Sequence, residues 1–497
     1  MTPRRRFWLE WLGAFLFCAA LCGYFQFQTP YLAEEDGYFH IKFAWLLRHH
    51  GLFLDGFPWA RFSLWRDGFS DGALLFHCLL IPFTFGDLAL GGKLAAVLES
   101  AFMFSSFFAI LTLNKARARL YWFGLLLLGG AFFWWRMLAP RPQVLSATFL
   151  LWSLHFLING KRRPFAALSF LYPLAYVAAF LPQVFAVARW LYLKATAQRA
   201  DGRLVLAGLG AYALAMIVHP YFPKNLTFFY VQNLYVMFLG MTHKVDLSLA
   251  GEILPLDTRQ FVGAHLPLIV HLLGLSLVFM HRRSPLSERT RSMFLMALIT
   301  ILLTCGSKRF VEYSVPVTTL FCALLFTDVF AGYGLKDFAR EYGRAGRVFA
   351  FAWLAALLGA AGAEAVIVRR GMAAVKPPRL RALAASLAAA APPGAFVYTC
   401  DWDEPPELLF FADQYAYPVL MDPTFMYYWD PAIWRKWSDV ANARLEPAET
   451  ARALKETFGA RFGVCGSKFS GLRYMMEDRK RFKILAENEN GFVFETL

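Results

Sequence analysis

The stretch "TPYLAEEDGYFHIKFAWLLRHHG" (residues 29–51) decides how this chain is read. Three acids, Glu34, Glu35 and Asp36, stand directly behind the apolar run "FWLEWLGAFLFCAALCGYF" (residues 7–25) and ahead of an aromatic-rich helical pattern. Carboxylates are costly within a bilayer, so an acid triplet here marks the point where the chain leaves the hydrocarbon. Asp36 could serve the following helix merely as a cap for its free amides. It could also be a carboxylate held at the membrane face for chemistry. Both readings require the run before it to be a span.

Composition agrees. Of 497 residues, 58% are hydrophobic and only 17% charged, with 51 Phe and 15 Trp. That apolarity exceeds what a soluble globular chain of this length carries. "LAAVLESAFMFSSFFAILTL" (94–113) and "FAWLAALLGAAGAEAVIV" (351–368), like the first run, approach the roughly 20 residues needed to cross a membrane. Arg4 to Arg6 precede the first run, but no small-residue cleavage pattern follows, so it reads as a retained anchor.

The net charge of +15 does not point to nucleic acid, because the basic residues sit in short loops between apolar runs, as orientation signals do. Placing every basic cluster in the cytoplasm puts two spans between neighbouring clusters. Spans are predicted near 7–27, 93–113, 120–137, 144–159, 165–180, 182–194, 204–219, 264–280, 292–307, 310–329 and 348–368, about eleven in all. "GALLFHCLLIPFTF" (72–85) is too short for a span and reads as a juxtamembrane or re-entrant helix. The expected protein is polytopic and α-helical, set in the plasma (inner) membrane, with its N-terminus cytoplasmic. Residues 1–370 form the membrane domain with a long external loop at 28–92, and 371–497 form an external soluble α/β domain.

This map puts Glu34, Glu35, Asp36, Asp67, Asp71, Arg136, Arg141, His219, Asp246, Glu252, Asp257, Lys308 and Arg309 on one side. A polar face beside apolar grooves suits an amphiphile with a lipid tail and a hydrophilic head. After residue 371 an Ala-rich helix is followed by strands at "GAFVYTC", "YPVLMD" and "ARFGVC", helices at "PELLFFAD" and "PAETARALKETFG", and a terminal hairpin in "FKILAENENGFVFETL". Cys400 and Cys465 each end a predicted strand. Parallel neighbouring strands would bring them close enough to bond in an oxidising compartment, although sequence does not supply the geometry. The chain has no P-loop, dinucleotide fingerprint or "HExxH", and its seven cysteines form no CxxC pair.

Asp36-Gly37-Tyr38-Phe39-His40, just outside the first span, resembles the first external loop of GT-C glycosyltransferases, and most of all that of the oligosaccharyltransferase catalytic subunit. "SKRFVEYSVP" (307–316) resembles the late-helix segment whose Arg meets the lipid phosphate, which places Arg309 there with Lys308 beside it. "AGEILP" resembles the acidic motif of a later loop and brings in Glu252 as a second catalytic candidate. "DWDEPPEL" matches a Trp-Asp motif at Trp402 and Asp403, which implies acceptor binding. The second external loop, "RMLAPRPQ", departs from oligosaccharyltransferases in having no carboxylate, so no metal ligands are assigned and a divalent ion is not expected to be essential. Its Arg136 and Arg141 lie outside, against the positive-inside trend, and join the phosphate candidates. Glu34, Glu35, Tyr38, His40 and His219 are supporting candidates.

The resemblance implies transfer of a sugar from a polyprenyl-phosphate carrier to a glycan, lipid or protein acceptor, with Asp36 as general base. The competing expectation is a non-enzymatic protein that binds or translocates a lipid carrier.

Overall fold

The computed structural model describes residues 2–242, 247 and 250–497; Asp246 lies outside the described residues. The chain divides into two compact units. One comprises Met1–Thr29, Lys93–Ala215 and Glu252–Ala374, the other Pro30–Gly92, Met216–Gly251 and Val375–Leu497.

The first unit is helical. Among the described residues, six helices are long and apolar enough to cross a membrane: Pro3–Gln26, Leu88–Leu113, Thr258–Arg282, Glu288–Gly306, Lys308–Val329 and Arg340–Ala373. Their burial differs sharply. The apolar windows of Lys308–Val329 and Leu88–Leu113 are 89% and 78% buried, against 6% for Arg340–Ala373 and 11% for Pro3–Gln26. The first pair are therefore interior helices, and the second pair present apolar surface outward, as a span facing lipid must. This is a multi-pass membrane protein.

Other expected spans coincide with shorter helices, Pro142–Ile158, Arg162–Ala175, Leu181–Ala195 and Gly202–Val218. The span expected at 120–137 is broken into two helices of eight residues, Arg119–Leu126 and Ala131–Leu138. Gly130 causes the break. Its φ of +84° is a conformation that L side chains rarely adopt, and a Cβ there would stand 2.8 Å from Ala264 Cα. The short second helix carries Arg136 into the interior of this unit.

The second unit is built around a four-stranded sheet of β1 (Val397–Thr399), β2 (Phe462–Gly466), β3 (Phe482–Asn488) and β4 (Gly491–Thr496), in the order β1-β2-β4-β3. β1 and β2 are parallel; β2–β4 and β3–β4 are antiparallel. The parallel pair brings Cys400 and Cys465 to a Cα separation of 5.1 Å, and the two are disulfide-bonded.

The strand expected at "YPVLMD" does not form as a sheet member. Pro418 lacks an amide hydrogen, and Tyr417 pairs instead with the 59–62 segment. Arg61 N donates to Tyr417 O, Tyr417 N to Trp59 O and Phe62 N to Pro418 O, each at 2.8 Å. The helix Glu404–Phe411 packs on the helix Glu35–His50, with Tyr38 edge-on to Phe410 at 5.0 Å.

Candidate functional site

In the first unit, two backbone stretches run side by side. Lys308 N donates to Leu254 O at 2.9 Å and Arg309 N to Glu252 O at 3.2 Å, while the Ser307 hydroxyl donates to Glu252 O at 3.0 Å. This pairing sets Glu252 beside the 3-10 turn Lys308–Phe310. Arg136 links the same place to the helix Val311–Val329. Its Nε and Nη2 donate to Glu312 Oε2 at 3.0 and 2.8 Å, and its Nη1 donates to Glu252. Arg141 Nη2 donates to Glu252 Oε1 at 3.3 Å.

Burial works against ionisation of Glu252, but Arg136, Arg141 and Arg309 outweigh it and hold its carboxyl well below the usual carboxylate range. Among the described residues, three arginines thus surround two carboxylates, an excess of positive charge. Among the described residues Arg309 makes no ion pair; its guanidinium lies 5.8 Å from the Phe310 ring. Lys308 is half-buried in the same turn. Ser146 fixes the helix behind the cluster, with Tyr172 and Tyr313 hydroxyls each 2.6 Å from its Oγ.

In the second unit, the acid triplet begins the helix Glu35–His50. Glu34, not Asp36, occupies the capping position, and its side chain makes no capping bond. Glu35 and Asp36 fall in the first turn, where the helix dipole favours negative charge. Arg379 reaches Glu35 Oε1 at 2.8 Å and Asp403 Oδ2 at 3.8 Å, so the Trp402-Asp403 stretch is brought to the acid triplet. Lys468 pairs with Asp401 and stands 4.0 Å from Asp403. Burial, reinforced by Asp401, pushes the Asp403 carboxyl up to about 6, against the pull of Lys468 and Arg379.

The supporting candidates differ in what they touch. The Tyr38 hydroxyl accepts from Leu32 N at 3.2 Å, and burial pushes its phenol up to about 12, so it anchors the turn before the helix. His219 is buried and accepts from Tyr221 N at 3.2 Å. His40 Nδ1 is 2.8 Å from His77 Nε2, and His77 Nδ1 is 2.8 Å from Asp71 Oδ2.

The sequence-predicted residues therefore fall into two groups. Arg136, Arg141, Glu252, Lys308 and Arg309 meet in one unit, and Glu34, Glu35, Asp36, Tyr38, His40, His219, Trp402 and Asp403 belong to the other. Three members escaped the reading. Glu312 lies inside the quoted "SKRFVEYSVP", and its signal was an acid within an apolar helix. His77 and Arg379 had no local signal, since each is defined by partners distant in sequence. Among the described residues, no three His, Cys, Asp or Glu side chains gather to hold a metal ion.

The chain matches no known family model and no curated protein sequence. Its fold is similar to those of solved membrane enzymes. The apo oligosaccharyltransferase of Archaeoglobus fulgidus superposes with a TM-score of 0.64 at 14% identity, over 94% of this chain and 70% of that one. The AglB oligosaccharyltransferase of the same organism, bound to an inhibitory peptide and a dolichol-phosphate, gives 0.63 at 14% identity, over 95% and 71%. ArnT from Cupriavidus metallidurans, bound to undecaprenyl phosphate, gives 0.56 at 13% identity, over 98% of both chains.

Proposed function

We propose that this protein is an inverting membrane glycosyltransferase that moves a sugar from a polyprenyl-phosphate carrier to an acceptor hydroxyl. The observation that carries this reading is the positively charged cluster in which Arg309 makes no ion pair among the described residues. A guanidinium held near other arginines, and in no ion pair among the described residues, matches a phosphate diester in a bidentate way. Similar folds that hold dolichol-phosphate and undecaprenyl phosphate support the same donor class.

Asp36 is assigned as general base. It takes the proton from the acceptor hydroxyl as the oxygen attacks the anomeric carbon. The bond from that carbon to the carrier phosphate breaks, and its electron pair stays on the phosphate oxygen. Arg309 and Arg141 stabilise the charge developing there. Arg136 anchors the cluster through its bonds to Glu312 and Glu252. Glu252, held below the usual carboxylate range, is a poor proton acceptor, so we assign it to orienting the arginines instead of to proton transfer.

Binding of undecaprenyl phosphate to purified protein tests the donor assignment. Arg309→Ala is expected to weaken it roughly ten- to a hundredfold, corresponding to the ~1.5–3 kcal/mol of a hydrogen bond to a charged group. Arg309→Lys keeps the charge but loses the planar fork, and is expected to remain impaired. Parental affinity in both variants would remove Arg309 from the site.

The positive-inside argument places the loop at 28–92 and residues 371–497 together on the outer face. Asp67 and Lys436 are exposed and suit single-Cys labelling, in a background that keeps only the Cys400–Cys465 bond. An impermeant thiol reagent applied to intact cells is expected to modify Asp67→Cys and Lys436→Cys alike. Opposite accessibility of the two positions contradicts the orientation.

A further inference from the structure

One face of the second unit exposes apolar side chains in a line. Lys224–Phe229, Tyr230–Tyr235 and Val236–Thr242 follow one another as a single helical rod at 224–242. The inner face of the rod packs on the unit. Asn225, Phe228, Val231, Val236 and Leu239 are buried, and Phe228 meets the Phe425 ring at 5.6 Å. On the other face Leu226, Tyr230 and Leu234 are 44%, 44% and 56% exposed, and Phe222, four residues ahead of Leu226, is 47% exposed. From 220 to 242 the only charged side chain is Lys224, and its ammonium is engaged, donating to Asp55 O at 3.2 Å.

The helical period keeps the stripe on one face. Four residues overshoot an α-helical turn of ~3.6 residues, so side chains at every fourth position drift around an α-helix. Tyr230–Tyr235 is a π-helical turn, wider than an α-helical one, and takes up part of that drift. Leu54 N donates to the Tyr221 hydroxyl at 3.1 Å, which holds the exposed pair Leu52 and Phe53 near the start of the rod. Tyr428, also exposed, lies 6.3 Å from Tyr230 and 5.4 Å from Tyr235. Tyrosine, with an apolar ring and a polar tip, suits the boundary between lipid and water.

Contiguous exposed apolar surface marks a place where something other than water docks. A water-facing helix of the same unit is built differently: Pro431–Ala441 buries Trp434 and Trp437 and exposes Arg435 and Lys436. Back along the chain, Ile217 and Val218 end the apolar helix Gly202–Val218 and are themselves exposed. Only residues 219–223 separate them from the rod, a reach of ~20 Å at most, so the rod begins near the end of an expected span. We propose that 224–242 is an in-plane membrane helix, docked through Phe222, Leu226, Tyr230 and Leu234 onto the adjoining leaflet and entering its headgroup–acyl boundary by roughly 5–10 Å. The docked face is coupled to the acid helix. Phe228 lies 6.4 Å from Trp65, and Trp65 stacks on Phe39 of Glu35–His50 at 6.0 Å. Docking therefore sets the depth at which the second unit presents the acid triplet.

The test uses the full chain reconstituted in vesicles of phosphatidylethanolamine and phosphatidylglycerol. Spin labels at Leu226→Cys, Leu234→Cys and Lys436→Cys are placed in the background that keeps only the Cys400–Cys465 bond. They report collisions with oxygen, which concentrates among acyl chains, and with a nickel chelate, which stays in water. Oxygen is expected to dominate at the first two positions and the nickel chelate at the third. In the parent protein, a phosphatidylethanolamine with a diazirine in its acyl chain is expected on illumination to leave adducts on 224–242 as well as on Arg340–Ala373. Nickel collisions at Leu226→Cys and Leu234→Cys equal to those at Lys436→Cys overturn the inference, because the face then meets water. So does shielding of both labels from both reagents, because protein then covers them, a second copy of the chain included. Absence of adducts from 224–242, beside adducts on Arg340–Ala373, overturns it without any substitution. None of these readouts involves sugar transfer, so they decide the docking of the rod whether or not the glycosyltransferase reading holds.

Discussion

Asp36→Asn is expected to lower donor consumption by about a hundred- to ten-thousandfold, the contribution of a positioned general base, and to leave undecaprenyl phosphate binding intact. Asn keeps the size and a hydrogen-bonding oxygen but cannot take a proton at neutral pH. The fold should tolerate it, because Glu34 holds the capping position of the helix and Asp36 lies beyond it. One expected structural cost is loss of a first-turn charge from the helix dipole, roughly 0.3–1 kcal/mol. Glu34→Gln and Glu35→Gln should be milder. Glu35 is half exposed and its carboxylate is engaged with Arg379, a surface pair of the kind that contributes little. Kinetics on purified protein together with a binding isotherm separate the outcomes. Full turnover in Asp36→Asn returns the acid triplet to a helix-terminal role and removes the catalytic assignment.

The sequence carried the acid triplet, the apolar helices and the terminal hairpin because each is a local pattern. Hydrophobicity summed over about 20 residues needs no partner, and neither does a turn between two alternating strands. The Cys pairing was legible only in part: two predicted strands each end in Cys, but the parallel pairing that brings those ends together is set by the fold and not by either segment. What escaped depends on distant partners. Nothing near Gly130 shows that Ala264 will approach its Cα, so 120–137 read as one continuous span. Pro418 was visible within "YPVLMD", yet the segment's actual partners, residues 59–62, lie more than 350 positions away. His77 looked like one polar residue on an apolar stretch, and its meaning comes from Asp71 and from His40, 37 residues before it. Glu312 was the avoidable omission. An acid five residues into a quoted motif, on a helix otherwise apolar, had to have a cation near it.

That cation is Arg136, and its removal should strongly destabilise the first unit. Arg136 is 2% exposed and Glu312 1%, and the guanidinium bonds both Glu312 and Glu252. Arg136→Met keeps much of the packing volume but leaves Glu312 without its guanidinium partner. Breaking a buried pair from one side costs about 3–5 kcal/mol, because the remaining charge keeps its desolvation penalty and loses its compensation. Glu252 suffers less, since Arg141 still reaches it. Arg136→Lys should recover only part of the loss, as one ammonium cannot present the guanidinium's fork to two carboxylates. The decisive comparison is the double variant Arg136→Met/Glu312→Leu. It removes both charges together, and apolar replacement of a whole buried pair is commonly neutral or stabilising. Its thermal midpoint should therefore rise well above that of Arg136→Met, towards the parent, while undecaprenyl phosphate binding stays weakened because the arginine cluster has lost its anchor. Equal midpoints for Arg136→Met and the parent would mean that the Arg136–Glu312 pair contributes nothing to the fold, and would return Arg136 to direct contact with the donor phosphate.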